Sequence, residues 1–262
     1  MTSKHPLRQR WRWIAFRGAQ ALPRWLPMPV AQGLGALAGD VAYVLCRKTR
    51  RLSWAHQRLA FGPGLSARTR HRITRRMFVN LGRTAMEWLV LAHCSPARVR
   101  RLVEVHGVPS LRRALAKGRG VIALSAHFGN WELLSVALPS LGYPAGVLAR
   151  RLRYPEYEQF LWGMRSRLGV TTLARGSLKE AAEVLRANWL LGVVPDQDVD
   201  SLEGVFVEFF NRPTYTPVGP AALALITGAP IVPCFIVRAG RRFNVFIEDP
   251  IEPPRSGNRQ QD

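Results

Sequence analysis

The sequence predicts an α/β protein with a mostly parallel or mixed sheet flanked by helices, preceded by N-terminal helices that associate with a membrane. Two observations lead to this prediction. From Leu102 onward, short apolar runs alternate with segments of helical periodicity, a succession typical of a sheet covered by helices. Before that point the chain is strongly basic and contains a long apolar segment. Its 262 residues suffice for one large α/β domain or at most two small ones.

Positive charge is concentrated in the first third of the chain. The sequence has 38 Lys and Arg against 17 Asp and Glu, for a net charge of +21. Residues 1–86 hold 17 of the basic residues and a single acid, Asp40. Such a charge suits nucleic acid or an anionic membrane surface, where each nearby Lys or Arg contributes about 1 kcal/mol. Because the basic residues flank an apolar segment and no nucleic-acid motif occurs, we expect an anionic membrane surface as the partner and no nucleic acid.

The basic, aromatic segment 1–46 is predicted to associate with the membrane. Trp11 and Trp13 lie among arginines, a combination that suits the lipid headgroup layer. A helix is expected at about Val30–Cys46, where Asp40 is the only charge. Its glycines make it a poor independent span, so we expect it to lie shallowly in the membrane. No small-residue cleavage site follows it, so a cleaved signal peptide is not expected.

The segment 47–101 is predicted to be a helical region. It opens with a basic run, and the apolar spacing in Leu52–Phe61 and Ala67–Leu91 is typical of amphipathic helices. The sequence Gly-Pro-Gly at 62–64 is expected to end the first of them.

The segment 102–250 is predicted to form the α/β domain, followed by a polar tail at 251–262. Strands are expected at Leu102–His106, Val121–Ser125, Ala145–Ala149, Leu190–Pro195, Val205–Phe209, Ile231–Val237 and Phe243–Glu248. Helices are expected at Pro109–Lys117, Trp131–Leu141, Pro155–Leu168, Ser177–Asn188 and Val218–Thr227. The helices should cover the sheet.

His127 is the candidate catalytic base. It follows the apolar run Val121–Leu124, which is typical of a strand buried on both faces, and precedes Asn130, a good N-cap for a helix over Trp131–Leu141. A residue so placed lies at the carboxyl end of a strand, where open α/β sheets bind ligands. Glu132, in the first helical turn, is expected to reach back and orient the imidazole for proton abstraction.

The stretch His-Phe-Gly-Asn-Trp-Glu at 127–132 resembles the His-x-x-x-x-Asp/Glu block of the glycerolipid acyltransferase superfamily. In detail the chain is most similar to the lipid A late acyltransferase family of Gram-negative bacteria, from about Trp54 to Asp249. The resemblance implies a glycerolphosphate-acyltransferase-like fold and catalytic roles for His127 and Glu132. Asn130, inside the same block, is expected to contact substrate.

The resemblance also implies an O-acyltransferase that uses no cofactor. The acyl donor, as a substrate, would be a thioester of acyl carrier protein or coenzyme A. The acceptor would be a phosphorylated glycolipid, first a lipid A precursor and alternatively phosphatidylinositol mannoside or another glycolipid. His127 would take the proton from an acceptor hydroxyl, whose oxygen attacks the thioester. The expected location is the cytoplasmic face of the bacterial inner membrane.

Two arginines are candidate ligands of a substrate phosphate. Arg150 follows the predicted strand Ala145–Ala149, and Arg165 lies near the end of the predicted helix that begins at Pro155. Both match arginines of the resembling family by position, and the planar guanidinium suits phosphate. The alternative is an arginine-rich surface.

Asp196 and Asp198 follow another predicted strand. Their spacing suggests a calcium loop, but Ser201 stands where that loop needs Gly, so no metal site is expected. The resembling family has a similar Pro-Asp-x-Asp here, which implies that both aspartates border the active site, where one would orient an arginine. The alternative is an Asp-rich turn without a function in the reaction.

Phe209 and Phe210 belong to a third stretch that resembles the family, whose members have Pro-Phe-Phe-Gly where this chain has Glu-Phe-Phe-Asn. Because Asn tolerates a left-handed conformation, the turn is expected to keep its shape with Asn211 in place of Gly. The two aromatic rings are expected to line a groove for the acyl chain, with packing in the core as the alternative. For the whole chain, the alternative class is an inactive basic protein that binds membrane or nucleic acid.

Overall fold

The computed structural model describes residues 26–197, 203–240 and 242–254, together with Gly18. Trp11, Trp13, Asp198 and the end of the polar tail lie outside these residues, so their predicted roles stay predictions. The chain divides into two compact units. One comprises Met1–Cys94 with Tyr154–Phe160, and the other comprises Ser95–Arg153 with Leu161–Asp262. The division predicted from the sequence, into segments 1–46, 47–101, 102–250 and 251–262, stays a prediction.

Between residues 28 and 91, the first unit forms three consecutive helices. They are α1 (Met28–Leu45), α2 (Arg47–Phe61) and α3 (Ala67–Leu91), with a 3₁₀ turn at Gly62–Gly64. Ser66 caps α3, since its Oγ accepts a hydrogen bond of 3.2 Å from the backbone N–H of Thr69. The three predicted helices are confirmed, although α2 begins earlier than predicted. Cys46 is exposed because it lies in the break between α1 and α2.

Glycines bring α1 and α3 into backbone contact. A Cβ atom on Gly35 would lie 2.5 Å from the carbonyl oxygen of Gly82, and a Cβ atom on Gly39 would lie 2.5 Å from the carbonyl oxygen of Phe78. Both distances are too short for any side chain, so only glycine permits this approach. The glycines that make this segment a poor independent span therefore serve its packing.

The opposite face of α1 exposes large apolar side chains at a spacing of three or four residues: Val30, Leu34, Leu37, Val41 and Val44. We call these five residues the apolar stripe. Among the described residues, α1 is the one helix whose length and apolar composition suffice to cross a membrane, and 28% of it is buried within the protein. A core helix of a soluble protein and a signal sequence near the N-terminus can have the same length and composition. The helix predicted at Val30–Cys46 is thus confirmed, and its contact with a membrane stays a prediction.

A seven-stranded sheet forms the centre of the second unit. Its strands are β1 (Val103–His106), β2 (Val121–Leu124), β3 (Ala145–Ala149), β4 (Val170–Ala174), β5 (Leu190–Val193), β8 (Ile231–Ala239) and β9 (Arg242–Ile247). They lie in the order β1-β9-β8-β2-β5-β3-β4. The strands from β8 to β4 are mutually parallel, whereas β9 is antiparallel to β8 and β1 is parallel to β9. The predicted α/β class with a mostly parallel, mixed sheet is confirmed.

Helices cover the central strands. After Ser95 the chain forms α4 (Pro96–Leu102), α5 (Val108–Leu115), α6 (Trp131–Ala137), α7 (Pro155–Arg167), α8 (Leu178–Arg186) and α9 (Gly219–Thr227). An apolar cluster joins Ile122 and Leu191 of the sheet to Leu185 of α8 and Leu223 of α9, all almost fully buried. This cluster fixes β2 and β5, the two strands that carry the candidate site.

The sequence did not predict α4, β4 or β7 (Arg212–Pro217). The strand β4 is short and two of its five residues are polar, although its Val-Thr-Thr start is rich in the β-branched residues that favour strands. Prolines at 213 and 217 argue against a strand over β7. It is nevertheless formed because it pairs only with β6 (Gly204–Phe209), in a two-stranded antiparallel hairpin separate from the main sheet.

Candidate active site

The candidate site lies where two neighbouring parallel strands end. β2 and β5 pair in parallel from Val121 with Leu190 to Leu124 with Val193. The backbone N–H of Ser125 extends this pairing with a 2.9 Å hydrogen bond to the carbonyl oxygen of Val193. The loops that follow the two strands therefore begin side by side, at the carboxyl edge where open α/β sheets bind ligands.

His127 and Asp196 meet in these loops. The imidazole Nδ1 lies 2.7 Å from Oδ1 of Asp196, and the backbone N–H of His127 donates to Oδ2 at 2.9 Å. Because a carboxylate accepts, we assign the proton to Nδ1, which leaves the lone pair on Nε2 for a substrate. The side chains are 29% and 35% exposed, so a substrate can reach them. Hydrogen bonding of this kind orients a general base.

The loop between His127 and α6 depends on two residues. Gly129 has φ of +62°, and a Cβ atom there would collide with the backbone oxygen of Ile236. Asn130 is 1% exposed, and its Oδ1 accepts a hydrogen bond of 3.0 Å from the N–H of Leu133. Asn130 is thus the predicted N-cap of α6, and its contact with substrate stays a prediction.

Glu132 does not contact the imidazole, contrary to the sequence-based expectation. Its side chain is 3% exposed and forms an ion pair with Arg165, which donates from Nε to Oε2 at 2.8 Å and from Nη2 to Oε1 at 2.5 Å. The start of α6 turns Glu132 toward the buried side of the helix, where a carboxylate requires a cation. The carboxylate that orients His127 belongs to Asp196. A catalytic role of Glu132 itself stays a prediction.

Arg165 and Asp196 also differ from their expected surroundings. Arg165 is 8% exposed, so the alternative of an arginine-rich surface is wrong for this residue. Its Nε and Nη2 donate hydrogen bonds to the carboxylate of Glu132, so Nη1 is the nitrogen that could donate to a substrate phosphate. Asp196, expected to orient an arginine, instead holds His127. Arg150 is exposed directly after β3, where its predicted contact with phosphate is not tested.

Phe209 and Phe210 are not in the core. They lie at the tip of the β6–β7 hairpin, 62% and 46% exposed, with their rings 4.7 Å apart. The tip residues Phe210 and Asn211 have φ of +52° and +55°, so Asn does accommodate the left-handed conformation, as predicted. The alternative of core packing is wrong, and an acyl groove at this place stays a prediction.

A small, mostly apolar cavity lies beside the ion pair. Its volume is about 80 Å³, and its wall includes Trp131, Glu132 and Arg165 together with apolar residues of β2, β3 and β5. Ser125 also lines it, and its Oγ is buried without a hydrogen-bond partner. In the described part of the chain, no three His, Cys, Asp or Glu side chains come together as ligands of a metal ion.

Sequence reasoning missed the pairing of His127 with Asp196. The available signal was that both residues follow predicted buried strands. Parallel strands bring their carboxyl ends to one edge, but the sequence alone does not reveal which strands are neighbours.

Comparisons with known proteins agree with this architecture. The chain is 34% identical over 151 residues to the phosphatidylinositol mannoside acyltransferase of Mycobacterium tuberculosis, a match that covers 54% of this chain and 47% of that protein. It is 26% identical over 233 residues to the lipid A biosynthesis palmitoleoyltransferase of Escherichia coli, covering 86% and 74% of the two chains. For the lipid A biosynthesis lauroyltransferase of Escherichia coli, the identity is 27% over 231 residues, covering 84% and 72%.

The match to the mycobacterial protein thus spans about half of that protein's length. The family model of the bacterial lipid A biosynthesis acyltransferases, by contrast, matches residues 2–261. Because this match extends over nearly the whole sequence, the chain belongs to the bacterial lipid A biosynthesis acyltransferase family.

Proposed function

We propose that this protein is an O-acyltransferase that transfers a fatty acyl chain from a thioester to a hydroxyl of a glycolipid. The observation that carries the proposal is the contact between His127 and Asp196 at the carboxyl edge of the sheet. The family supports the reaction type, and the hydrogen bond from Nδ1 to Asp196 suits a general base that acts through Nε2.

In the proposed reaction, Nε2 of His127 accepts the proton of the acceptor hydroxyl while the oxygen attacks the thioester carbonyl. The carbon–sulfur bond then breaks, the ester forms, and the thiolate leaves with the proton from the imidazolium. Asp196 stabilises the positive charge that the ring carries between the two steps. General-base catalysis of this kind contributes about 10²–10⁴-fold in rate.

The Glu132–Arg165 ion pair supports the site in this proposal. Both side chains are buried and line the cavity beside β2, and their ion pair joins the start of α6 to the end of α7. Removal of either partner would leave an uncompensated buried charge, which costs about 3–5 kcal/mol. Through α6 this pair would keep His127 in place, and Arg165 would retain Nη1 for a phosphate group.

For the acceptor we propose a lipid A precursor, with phosphatidylinositol mannoside as the alternative. The two lipid A enzymes match more than four-fifths of this chain, whereas the mannoside enzyme has the higher identity over a shorter region.

For the donor we propose acyl carrier protein or coenzyme A thioesters, as the resemblance implies. The exposed apolar stripe and the basic first third suit the cytoplasmic face of the bacterial inner membrane, with anionic lipid as the partner.

The test combines purified protein with each donor and each acceptor. Acyl carrier protein and coenzyme A thioesters are paired in turn with a lipid A precursor and with phosphatidylinositol mannoside, and the products are measured by mass spectrometry. Transfer that requires His127 supports the proposal, and the productive pair identifies the substrates. If no pair reacts and lipids from cells with and without the gene are identical, the chain is instead an inactive basic binding protein.

A further inference from the structure

Arg70, in the first unit, is a buried cation without a carboxylate partner. It is 6% exposed, and its guanidinium donates to two backbone carbonyls, from Nε to Leu65 at 3.2 Å and from Nη2 to Gly62 at 2.5 Å. Its Nη1 is buried and has no hydrogen-bond partner. Within the described residues no Asp or Glu forms an ion pair with it. Neutral carbonyls satisfy two donors but do not neutralise the charge, so the group is under-compensated.

A cavity beside Arg70 provides room for a counterion. Its volume is about 420 Å³, and its wall consists of Arg58, Gly62, Pro63, Leu65 and Arg70. Arg58 is an exposed residue in the last turn of α2. The wall therefore carries two guanidinium groups and no acid, which gives the cavity a positive potential. Buried polar atoms without a partner often mark the position of a water molecule or an ion.

We propose that Arg58 and Arg70 bind a phosphate group in this cavity. Guanidinium groups form charge-assisted hydrogen bonds to phosphate oxygens, and such bonds are stronger than those between neutral groups. A bound phosphate would compensate the charge of Arg70 and draw the flexible side chain of Arg58 over the cavity. The proposal concerns only the first unit and does not rest on the proposed acyl transfer.

The phosphate can come from a lipid headgroup or from a soluble compound. A lipid suits the surroundings because Leu59 and Phe61, which neighbour Arg58 and Gly62 in sequence, are 53% and 45% exposed. The same unit exposes the apolar stripe of α1. A headgroup phosphate between two arginines with exposed apolar side chains nearby is the arrangement expected of a protein that sits on a lipid surface.

The experiment compares the full chain with three variants. Arg58→Gln removes one charge at the cavity, and Arg72→Gln removes one charge from an exposed position of α3 that does not line it. Arg70→Lys keeps the charge and loses the planar fork. Binding is measured by flotation with vesicles of phosphatidylcholine and phosphatidic acid in equal parts. In a second set of vesicles, a fatty-acid anion replaces phosphatidic acid at the same surface charge. These vesicles therefore carry the negative charge without phosphatidic acid.

On fatty-acid vesicles, the two Gln variants should each weaken binding by about fivefold, because one nearby charge is lost in each case. On phosphatidic acid vesicles, Arg58→Gln and Arg70→Lys should weaken binding by about tenfold more than Arg72→Gln does. The side chain of Arg70 also holds the turn at Gly62. If Arg70→Lys fails to fold for that reason, the comparison of Arg58→Gln with Arg72→Gln decides whether the phosphate site exists.

A second arm uses inorganic phosphate against chloride at equal ionic strength and follows Tm. If phosphate raises Tm for the wild type and Arg72→Gln but not for Arg58→Gln, while the vesicles do not distinguish the variants, the site exists and its ligand is a soluble phosphate compound. If Arg58→Gln and Arg72→Gln behave alike in both arms, the charge of this unit acts diffusely and the proposed site is wrong.

Discussion

Asp196 holds His127 at two points, through Oδ1 at the imidazole Nδ1 and through Oδ2 at the backbone N–H. The two residues are 69 positions apart in the sequence and meet because β2 and β5 are neighbours in the sheet. A carboxylate that contacts both the ring and the main chain of one histidine fixes the imidazole and its loop together. Loss of this carboxylate is therefore expected to affect the reaction more than the fold.

Asp196→Asn should lower kcat by about 10²–10⁴-fold with little change in Tm, because the amide no longer stabilises the imidazolium or selects the Nδ1–H tautomer. The measurement is steady-state acyl transfer at matched folded fraction. His127→Ala should show a loss at least as large. Glu180→Gln, an exposed acid of α8, serves as the control and should retain wild-type kcat. Equal activity of Asp196→Asn and the control would remove Asp196 from the mechanism.

Gly129→Ala should disrupt the loop that carries His127. The new Cβ atom would meet the backbone oxygen of Ile236, and the residue would keep a positive φ, which costs about 1–3 kcal/mol. The free energy of unfolding, measured with denaturant, should fall by that amount, and acyl transfer should fall with it. The matched control is Gly163→Ala in α7, where a Cβ atom meets nothing within 4 Å; this change should stabilise the protein by about 0.5–1 kcal/mol.

Arg165→Lys should impair both stability and transfer, whereas Arg167→Lys should not. Lysine keeps the charge but cannot reproduce the paired hydrogen bonds from Nε and Nη2 to the buried carboxylate of Glu132. Arg167, two positions further along the same helix, is exposed. Both variants are compared by denaturant unfolding and in one transfer assay. Indistinguishable behaviour would show that the ion pair supports neither the fold nor the site.

The apolar stripe of α1 should keep the protein on membranes when charge is screened. Moderate salt is expected to weaken liposome binding only in part, because apolar burial does not depend on ionic strength. Leu37→Asp combined with Val41→Asp should make the remaining binding fully sensitive to salt. Leu178→Asp on α8, another exposed apolar position, is the control and should bind like the wild type. Complete release of the wild type by moderate salt would exclude an apolar anchor.

Cys234 should resist thiol reagents in the folded protein. Burial raises the pKa of its thiol from 9.0 to about 12, and the nearby negative charge of Glu248 adds to the shift. Cys46 is exposed and should react first, as mass spectrometry after brief alkylation will show. Above pH 9.0 the unfolded chain releases the thiol proton, whereas the folded protein keeps it because the folded pKa is about 12. The contribution of this group to the free energy of unfolding is therefore intact below pH 9.0 and is lost as the pH rises from 9.0 to about 12. Rapid labelling of native Cys234 would contradict its burial.

Local signals in the sequence were sufficient for the part of the site that lies on one stretch of chain. The apolar run of β2, the N-cap at Asn130 and the helix after it place His127 at a strand end without knowledge of the fold. The contact with Asp196 was not predictable in the same way, because it depends on the order of strands in the sheet. Glu132 was assigned to the imidazole for its proximity in sequence, whereas burial directs it to Arg165.

The missed elements have physical reasons of the same kind. The strand β4 has too few apolar residues to show a buried pattern, and it forms because β3 offers it a parallel partner along its whole length. The strand β7 contains prolines that a central strand would not tolerate, and it forms because its one partner is β6. In both cases tertiary pairing outweighs the local preference of the residues.

The reversal of direction between β8 and β9 determines where a reporter group can be placed. β9 and β1 run opposite to β2, so their carboxyl ends emerge at the edge of the sheet where β2 begins. A fluorophore attached at the exposed residue Glu248, just after β9, would lie at the opposite edge of the sheet from His127, whereas Gly107 after β1 has no room for a side chain. It would follow the assembly of the second unit without obstructing the edge at which His127 and Asp196 lie.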